Sequence, residues 1–501
     1  MTSTPQASAD ADPGHPIASR SAGEPTTKAD SSGLKGSMTT FDIVFTVLAF
    51  NAPLSVFAGY LTVIIGYANG LGAPLTFLAA GVVILVFAVG FTAMSRHLPN
   101  PGAFYAYVTA GLGRPLGLGA AFLALICYVF LYVSSFIYGA NAIKGLVEGI
   151  FNGPAINWWV YNVALIIVVG VLGFFRITLS ARILTVAMCL EVVVIVIYNA
   201  VVFGQGGSEG FTSAPLQLDY ILGGSVGLAV LYCIGMFSGF EATAIFREEA
   251  RNPEKTVPRA TYIVIAVIAI LYSVTSFAII VGIGPSSVVE QTAADPVGSV
   301  MASVQQYLGQ TALDITTVLL CTSIFAAVLA MHNIVARYLF SMGRDRVFPR
   351  KLASVHGSHG SPHIASVATS GIAVVFLIIV LAIGADGNAL YAKLAGIALY
   401  ALIILLLMTS ISIPLYFRKH PKHGVNQWKT TVAPLLSGLG FAVALVLATK
   451  NAAFLVGGSQ TAANLLIAVF IAAVALGVGY ALLLKKQRPH TYLRIGRQEV
   501  A

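Results

Sequence analysis

Apolar runs long enough to cross a bilayer recur along the chain, separated by short clusters of charge, glycine and proline. A helix rising about 1.5 Å per residue needs about 20 apolar residues to span a hydrocarbon layer roughly 30 Å thick. Windows of that kind predict twelve spans, near 42–68, 73–94, 115–140, 157–175, 180–203, 223–246, 259–284, 312–340, 363–384, 390–416, 431–449 and 461–484. Residues 1–40 have no apolar core and are rich in Ser, Ala, Thr, Pro and Asp, which predicts a disordered tail and not a signal peptide. Between spans six and seven, Pro253 should break any helix running on, with Thr256 capping the next helix and Pro258 in its first turn.

Two spans carry interruptions. Span one reads VLAFNAPLSVFAGYL from Val47 to Leu61, with Asn51 and Pro53 near its middle. Pro53 removes a backbone donor and displaces the carbonyl four residues earlier. Span six reads LYCIGMFSGFEA from Leu231 to Ala242, with Gly235 and Gly239 around Met236, Phe237 and Ser238. Glycine lets that backbone leave the helix without steric cost. Taken singly, each has a plainer reading: proline kinks are ordinary in membrane helices, and glycines four apart also pack helices closely. Together they predict a site, because the N-terminus of a half-helix attracts a carboxylate and unwound carbonyls accept from an ammonium group.

Composition agrees with a membrane protein. The 501 residues are 57% hydrophobic and 9% charged, with a mean hydropathy of +0.86, more apolar surface than a soluble core hides. With twelve spans and both termini on one side, all 28 Lys and Arg residues except Lys144, Lys393 and Lys450 fall on that side. The positive-inside rule then puts both termini in the cytoplasm of a multi-pass protein of the cell's inner membrane. The net charge of +9 is accounted for by topology and implies no nucleic acid. Cys127, Cys189, Cys233 and Cys321 fall in four different spans and read as apolar packing residues. No phosphate-binding GxxxxGK[ST] loop accompanies the spans, which disfavours an ATP-driven pump. No nucleophile-base-acid constellation lies in them, which disfavours an enzyme.

GFEA from Gly239, followed by EEARNPEKTVPRA at 248–260, resembles the cytoplasmic signature after the sixth helix of amino acid permeases of the amino acid/polyamine/organocation superfamily. PNPGAFYAYVTAGLGRPLG at 99–117 and HNIVARYLFSMGRDRVFPRKL at 332–352 resemble further stretches of that family in the same order. The resemblance covers about residues 40–420. It implies an all-α polytopic fold of 12 transmembrane helices, ten of them in a 5+5 inverted repeat with helices 1 and 6 broken around the substrate. The implied organisation is a cytoplasmic tail over 1–40, a transport core over 41–420 (first repeat 41–203, second 222–420), peripheral helices over 421–485 and a cytoplasmic tail over 486–501. By the same resemblance, backbone at Ala52, Pro53, Leu54 and Ser55 would hold a substrate carboxylate, and backbone at Ile234, Gly235, Phe237 and Ser238 the amine. The chain departs from the family's glycine-rich turn in helix one, having Asn51-Ala52-Pro53-Leu54-Ser55 instead.

Charge inside a span is costly and marks functional candidates. Glu191 lies about eleven residues into span five, where many proton-coupled relatives have a lysine that stands in for a sodium ion. Its carboxyl is a proton carrier, a partner for a cation, or a structural group bonded to a neighbouring backbone or hydroxyl. Glu241 and Asp42 are candidates for an inner gate, Asp42 also suiting a helix N-terminus. Thr322 and Ser323 face either the site, a cation position, or their own helix backbone. His332 with Asn333 suggests an interhelical hydrogen-bond pair, and His356, His359 and His363 lack the partners of a metal site.

The function expected is secondary active transport of an amino acid or related amine by alternating access, with a proton or a sodium ion as coupling ion and no other cofactor. A substrate sensor on the same fold, an amine or polyamine exchanger and an ion channel are the alternatives. The expected partners are the small-molecule substrate and the lipid bilayer.

Overall fold

The computed structural model describes residues 38–98, 103–175, 181–248, 250–356, 361–385, 387–421 and 426–496. The tail expected over 1–40 thus lies outside the described residues as far as 37, as do 99–102, Ser180, Glu249, His359 and 497–501. The described chain is helical, and the one pairing of extended backbone is an isolated bridge between Met38 and Ala250.

The principal helices are α1 (Thr40–Asn51), α2 (Ala73–Ser95), α3 (Ala103–Leu112), α4 (Arg114–Gly149), α5 (Trp158–Phe174), α6 (Ala181–Gln205), α7 (Val226–Gly235) and α8 (Pro253–Ile283). They continue with α9 (Val288–Ala294), α10 (Pro296–Leu308), α11 (Gln310–Arg344), α12 (His363–Ala382), α13 (Gly387–Lys419), α14 (Ala433–Lys450) and α15 (Gln460–Gln487). Among the described residues nine helices are long and apolar enough to cross a membrane, and α1, α5 and α7 are shorter apolar helices beside them. The protein is therefore a polytopic helical membrane protein. Its outer faces bear this out: Ile167 and Val171 on α5, Val193 and Val196 on α6, and Leu465 and Ile471 on α15 are about half exposed or more, a coat suited to lipid.

Burial separates centre from periphery. In α13 78% of the most apolar window is buried, whereas in α15 only 22% is. The long α4 runs through the middle, packed by α13, α11 and α15, while α2 packs on α8 and α14. Around α1 stand α8 and α6, and α11 meets the short turn Pro53–Ser55 that follows it.

The start of α8 differs from the sequence expectation. The helix begins at Pro253, with Asn252 as N-cap, and runs through Thr256 and Pro258. Proline suits the first helical position because that N–H has no intrahelical partner anyway. Pro258 cannot pair the carbonyl of Glu254, and that carbonyl instead accepts from the Arg96 guanidinium at 3.0 Å. A side chain from another helix thus replaces the missing bond, and the helix continues.

Candidate functional site

Helix α1 stops at Asn51 because Ala52 takes a left-handed conformation, φ 51°. Such a φ costs a residue with a Cβ about 1–2 kcal/mol and is usually held by its surroundings. The N–H of Ala52 turns back to the Ala49 carbonyl at 3.3 Å, the acceptor that Pro53 cannot serve in a continuous helix. A second helical segment starts at Pro53 and reaches Asn69 through two π-turns. At its N-terminus the donors are engaged: Leu54 donates to Glu191 Oε2 at 3.1 Å, and Ser55 and Val56 donate to the Ala52 carbonyl at 2.9 and 3.2 Å.

Glu191 on α6 is 3% exposed. Besides Leu54, the Ser323 hydroxyl of α11 donates to the same oxygen at 3.0 Å, and Ser55 Oγ lies 3.4 Å from Ser323 Oγ. A carboxylate here completes the helix N-terminus and joins α6, α11 and the span-one break. Thr322, the neighbour of Ser323, is exposed and bonds its own helix at the Leu319 carbonyl, 2.9 Å, so the structure brings only one of the two hydroxyls to the site.

The second break follows Gly235. Phe237 and Ser238 donate to the carbonyls of Ile234 and Gly235 at 3.2 and 2.9 Å, and Gly239 follows with a φ of 104° that requires glycine. Glu241 accepts the Gly239 N–H at 2.8 Å and so caps this turn. Asn51 crosses between the two breaks: its amide donates to Met236 O at 2.7 Å and reaches Ser238 O at 3.4 Å. Its carbonyl accepts the Tyr272 hydroxyl of α8, which fixes the direction of the amide.

Both breaks open on one cavity of about 670 Å³, counting the space that opens to solvent. Of the expected substrate contacts, Ala52, Ser55, Gly235 and Ser238 line it, while Pro53, Leu54, Ile234 and Phe237 are buried behind the wall. The wall is otherwise apolar or hydroxyl-bearing, including Val56, Ser135, Ile324, Met331 and Leu399, with no acidic or basic side chain among the described residues. Tyr60 and Tyr138 close one side, Tyr138 donating to the Ser55 carbonyl at 3.0 Å and stacking on Tyr391 at 4.7 Å. Sequence reasoning missed Tyr138 and Tyr272, since one tyrosine among 20 carries no signal of its own. Asn51, an amide mid-span, was visible.

The remaining candidates lie elsewhere. Asp42 is exposed and forms a capping box with Thr39, accepting from its N–H and hydroxyl at 2.8 Å. His332 makes the interhelical hydrogen bonds expected of it, to Tyr132 on α4 at 2.9 Å and to Ser366 on α12 at 2.8 Å. Among the described residues no group of His, Cys, Asp and Glu has metal-binding geometry.

Residues 41–484 match the model of the family described as amino acid permease. The chain belongs to that family. It is a transporter and not an enzyme. This permease is 24% identical over 353 residues to the low-affinity putrescine importer PlaP of Escherichia coli (strain K12), covering 68% of this chain and 74% of PlaP. It is 25% identical over 356 residues to the branched-chain amino acid permease BcaP of Bacillus subtilis (strain 168), covering 66% of this chain and 72% of BcaP. A methylthioribose transporter of the same Bacillus subtilis strain is 24% identical, covering 59% of this chain and 65% of that one.

Proposed function

We propose that this permease moves a small amino acid or a related monoamine by alternating access, with the substrate in the cavity between the two breaks. Twelve spans, ten of them in two inverted repeats, carry the site; α1, α5 and α7 are the three shorter members, and α1 and α7 are short because each stops at a break. The observation that carries the reading is Asn51, whose amide donates to unwound carbonyls at Met236 and Ser238 where a substrate ammonium would donate. Glu191 does the same behind the other pole, accepting the Leu54 N–H at the start of the half-helix whose Ala52 and Ser55 line the cavity. Both poles of a zwitterion are thus matched by the protein's own side chains. That limits the cost of buried unpaired backbone between transport cycles.

The wall favours an apolar side chain and one ammonium group. A second ammonium would need a carboxylate on the wall, which none of the lining residues supplies. Coupling is assigned to Glu191, which can bind and release a proton between two moving elements.

Purified protein in liposomes should accumulate a labelled neutral amino acid above its outside concentration when a pH gradient is imposed, and putrescine should compete weakly. Asn51→Ala should weaken substrate binding about tenfold, the order expected for losing oriented hydrogen bonds at a partly buried site. Binding without accumulation would make the protein a sensor, and strong competition by putrescine would overturn the monoamine assignment.

Orientation is tested separately. The native cysteines lie in helices, Cys127 and Cys233 buried. With the termini inside, Ala294→Cys should react with an impermeant thiol reagent added outside cells and Lys255→Cys should not. The reverse pattern would invert the topology.

A further inference from the structure

A second pocket lies at the end of the molecule where α11 and α15 terminate, far in sequence from both breaks. It is lined by Arg346, Phe348 and Arg350 from the segment after α11 and by Tyr480 and Arg488 from the end of α15, and measures about 730 Å³ counting the space open to solvent. The Tyr480 hydroxyl donates to the Val347 carbonyl at 3.1 Å and holds the two segments together. Phe348 packs edge-on against Phe122 at 5.8 Å, which anchors the segment to α4.

The three arginines form no ion pair among the described residues. All three are exposed, as are Lys485 and Lys486 in the last turn of α15. Burial pushes the carboxyl of Asp345, the acid closest in sequence, up to about 6 against the pull of the Arg344 and Arg494 charges. Arg346 also sits at a left-handed φ of 58°, an unfavourable backbone for a residue with a Cβ. Three arginines lining one pocket with no carboxylate among its described lining residues are matched to an oxyanion, and the planar fork of each suits phosphate in particular. The neighbouring surface of α15 is apolar, Leu476, Leu482 and Leu483 being 66%, 51% and 45% exposed. Charge beside a lipid-facing helix end is the arrangement by which proteins hold anionic headgroups.

We propose that Arg346, Arg350 and Arg488 form a binding site for a phosphate-bearing anion at the membrane surface, with the headgroup of an anionic phospholipid as its source and its acyl chains along α15. The site is separate from the transport cavity, and the proposal stands whether or not the substrate assignment does.

The test uses the full-length protein, delipidated in detergent, with binding followed by native mass spectrometry and by the thermal unfolding midpoint. Phosphatidylglycerol should bind and raise the midpoint, and phosphatidylcholine, which carries phosphate but no net charge, should do so far less. Arg350→Gln with Arg488→Gln should weaken phosphatidylglycerol binding about fivefold per guanidinium removed. Arg350→Lys with Arg488→Lys should retain more of it. Lys255→Gln with Arg259→Gln, the same charge change on α8, should leave it unaltered. Inorganic phosphate at millimolar concentration separates the sources: stabilisation equal to that by phosphatidylglycerol, and lost in the Arg350 and Arg488 variant, supports the anion site and assigns it to free phosphate. Binding that is indifferent to Arg350 and Arg488, or equally reduced by the α8 control, would overturn the proposal.

Discussion

Gly235→Leu is expected to abolish substrate binding while the protein still inserts in the membrane. A Cβ built at Gly235 would stand 2.7 Å from Leu399 Cγ and closer still to both of its δ carbons. Leu399 is itself fully buried and lines the cavity with Gly235, so a branched side chain at 235 must displace Leu399 or occupy substrate space. Overpacking of this kind costs about 1–3 kcal/mol before any lost cavity volume is counted. Leucine also propagates a helix that glycine lets end, which favours carrying α7 through 236–238 and withdrawing the carbonyls that Asn51 meets. Insertion depends on apolar character, which leucine increases. Gly235→Ala is the milder comparison, since only the flexible end of Leu399 must move, and it should weaken binding without ending it. Normal insertion of the leucine variant with unaltered affinity would show that Gly235 serves helix packing alone.

The elements legible in the sequence are those set by the solvent or by backbone sterics. Apolar runs announce membrane helices because the hydrocarbon layer fixes their length, and Pro53 and Gly239 announce breaks because one lacks a donor and the other permits a φ of 104°. Glu191 stands out because a carboxyl in hydrocarbon needs a reason. What depends on partners distant in sequence was not legible. Nothing near Pro258 says that Arg96 will take the carbonyl it leaves free, so the start of α8 was placed too late. Thr322 and Ser323 are adjacent hydroxyls about 100° apart around one helix, and in a helix that is apolar on both faces the sequence does not say which one looks inward. Only the position of α6 decides it, by setting Glu191 3.0 Å from Ser323. Tyr272 likewise gains its meaning from Asn51, 221 positions away.

Glu191→Gln should separate coupling from structure. Its Oε2 accepts from Leu54 N–H and Ser323 Oγ, and the amide oxygen of glutamine can accept both bonds from nearly the same place. The link between α6, α11 and the half-helix at Pro53 therefore survives the substitution, and only the capacity to bind and release a proton is lost. Uptake driven by an imposed pH gradient should fall to the rate seen without a gradient. Exchange of labelled for unlabelled substrate, which needs no net proton movement, should persist. Glu191→Ala provides the contrast: it leaves the Leu54 N–H buried without a partner, at a cost of about 1–3 kcal/mol, and should impair both activities. Gradient-driven uptake and exchange both intact in the glutamine variant would mean that the carboxyl is a structural acceptor. The coupling proton would then have to be carried by Glu241 or by a substrate carboxyl, or be replaced by a sodium ion, and repeating the uptake with a sodium gradient at constant pH would distinguish that last case.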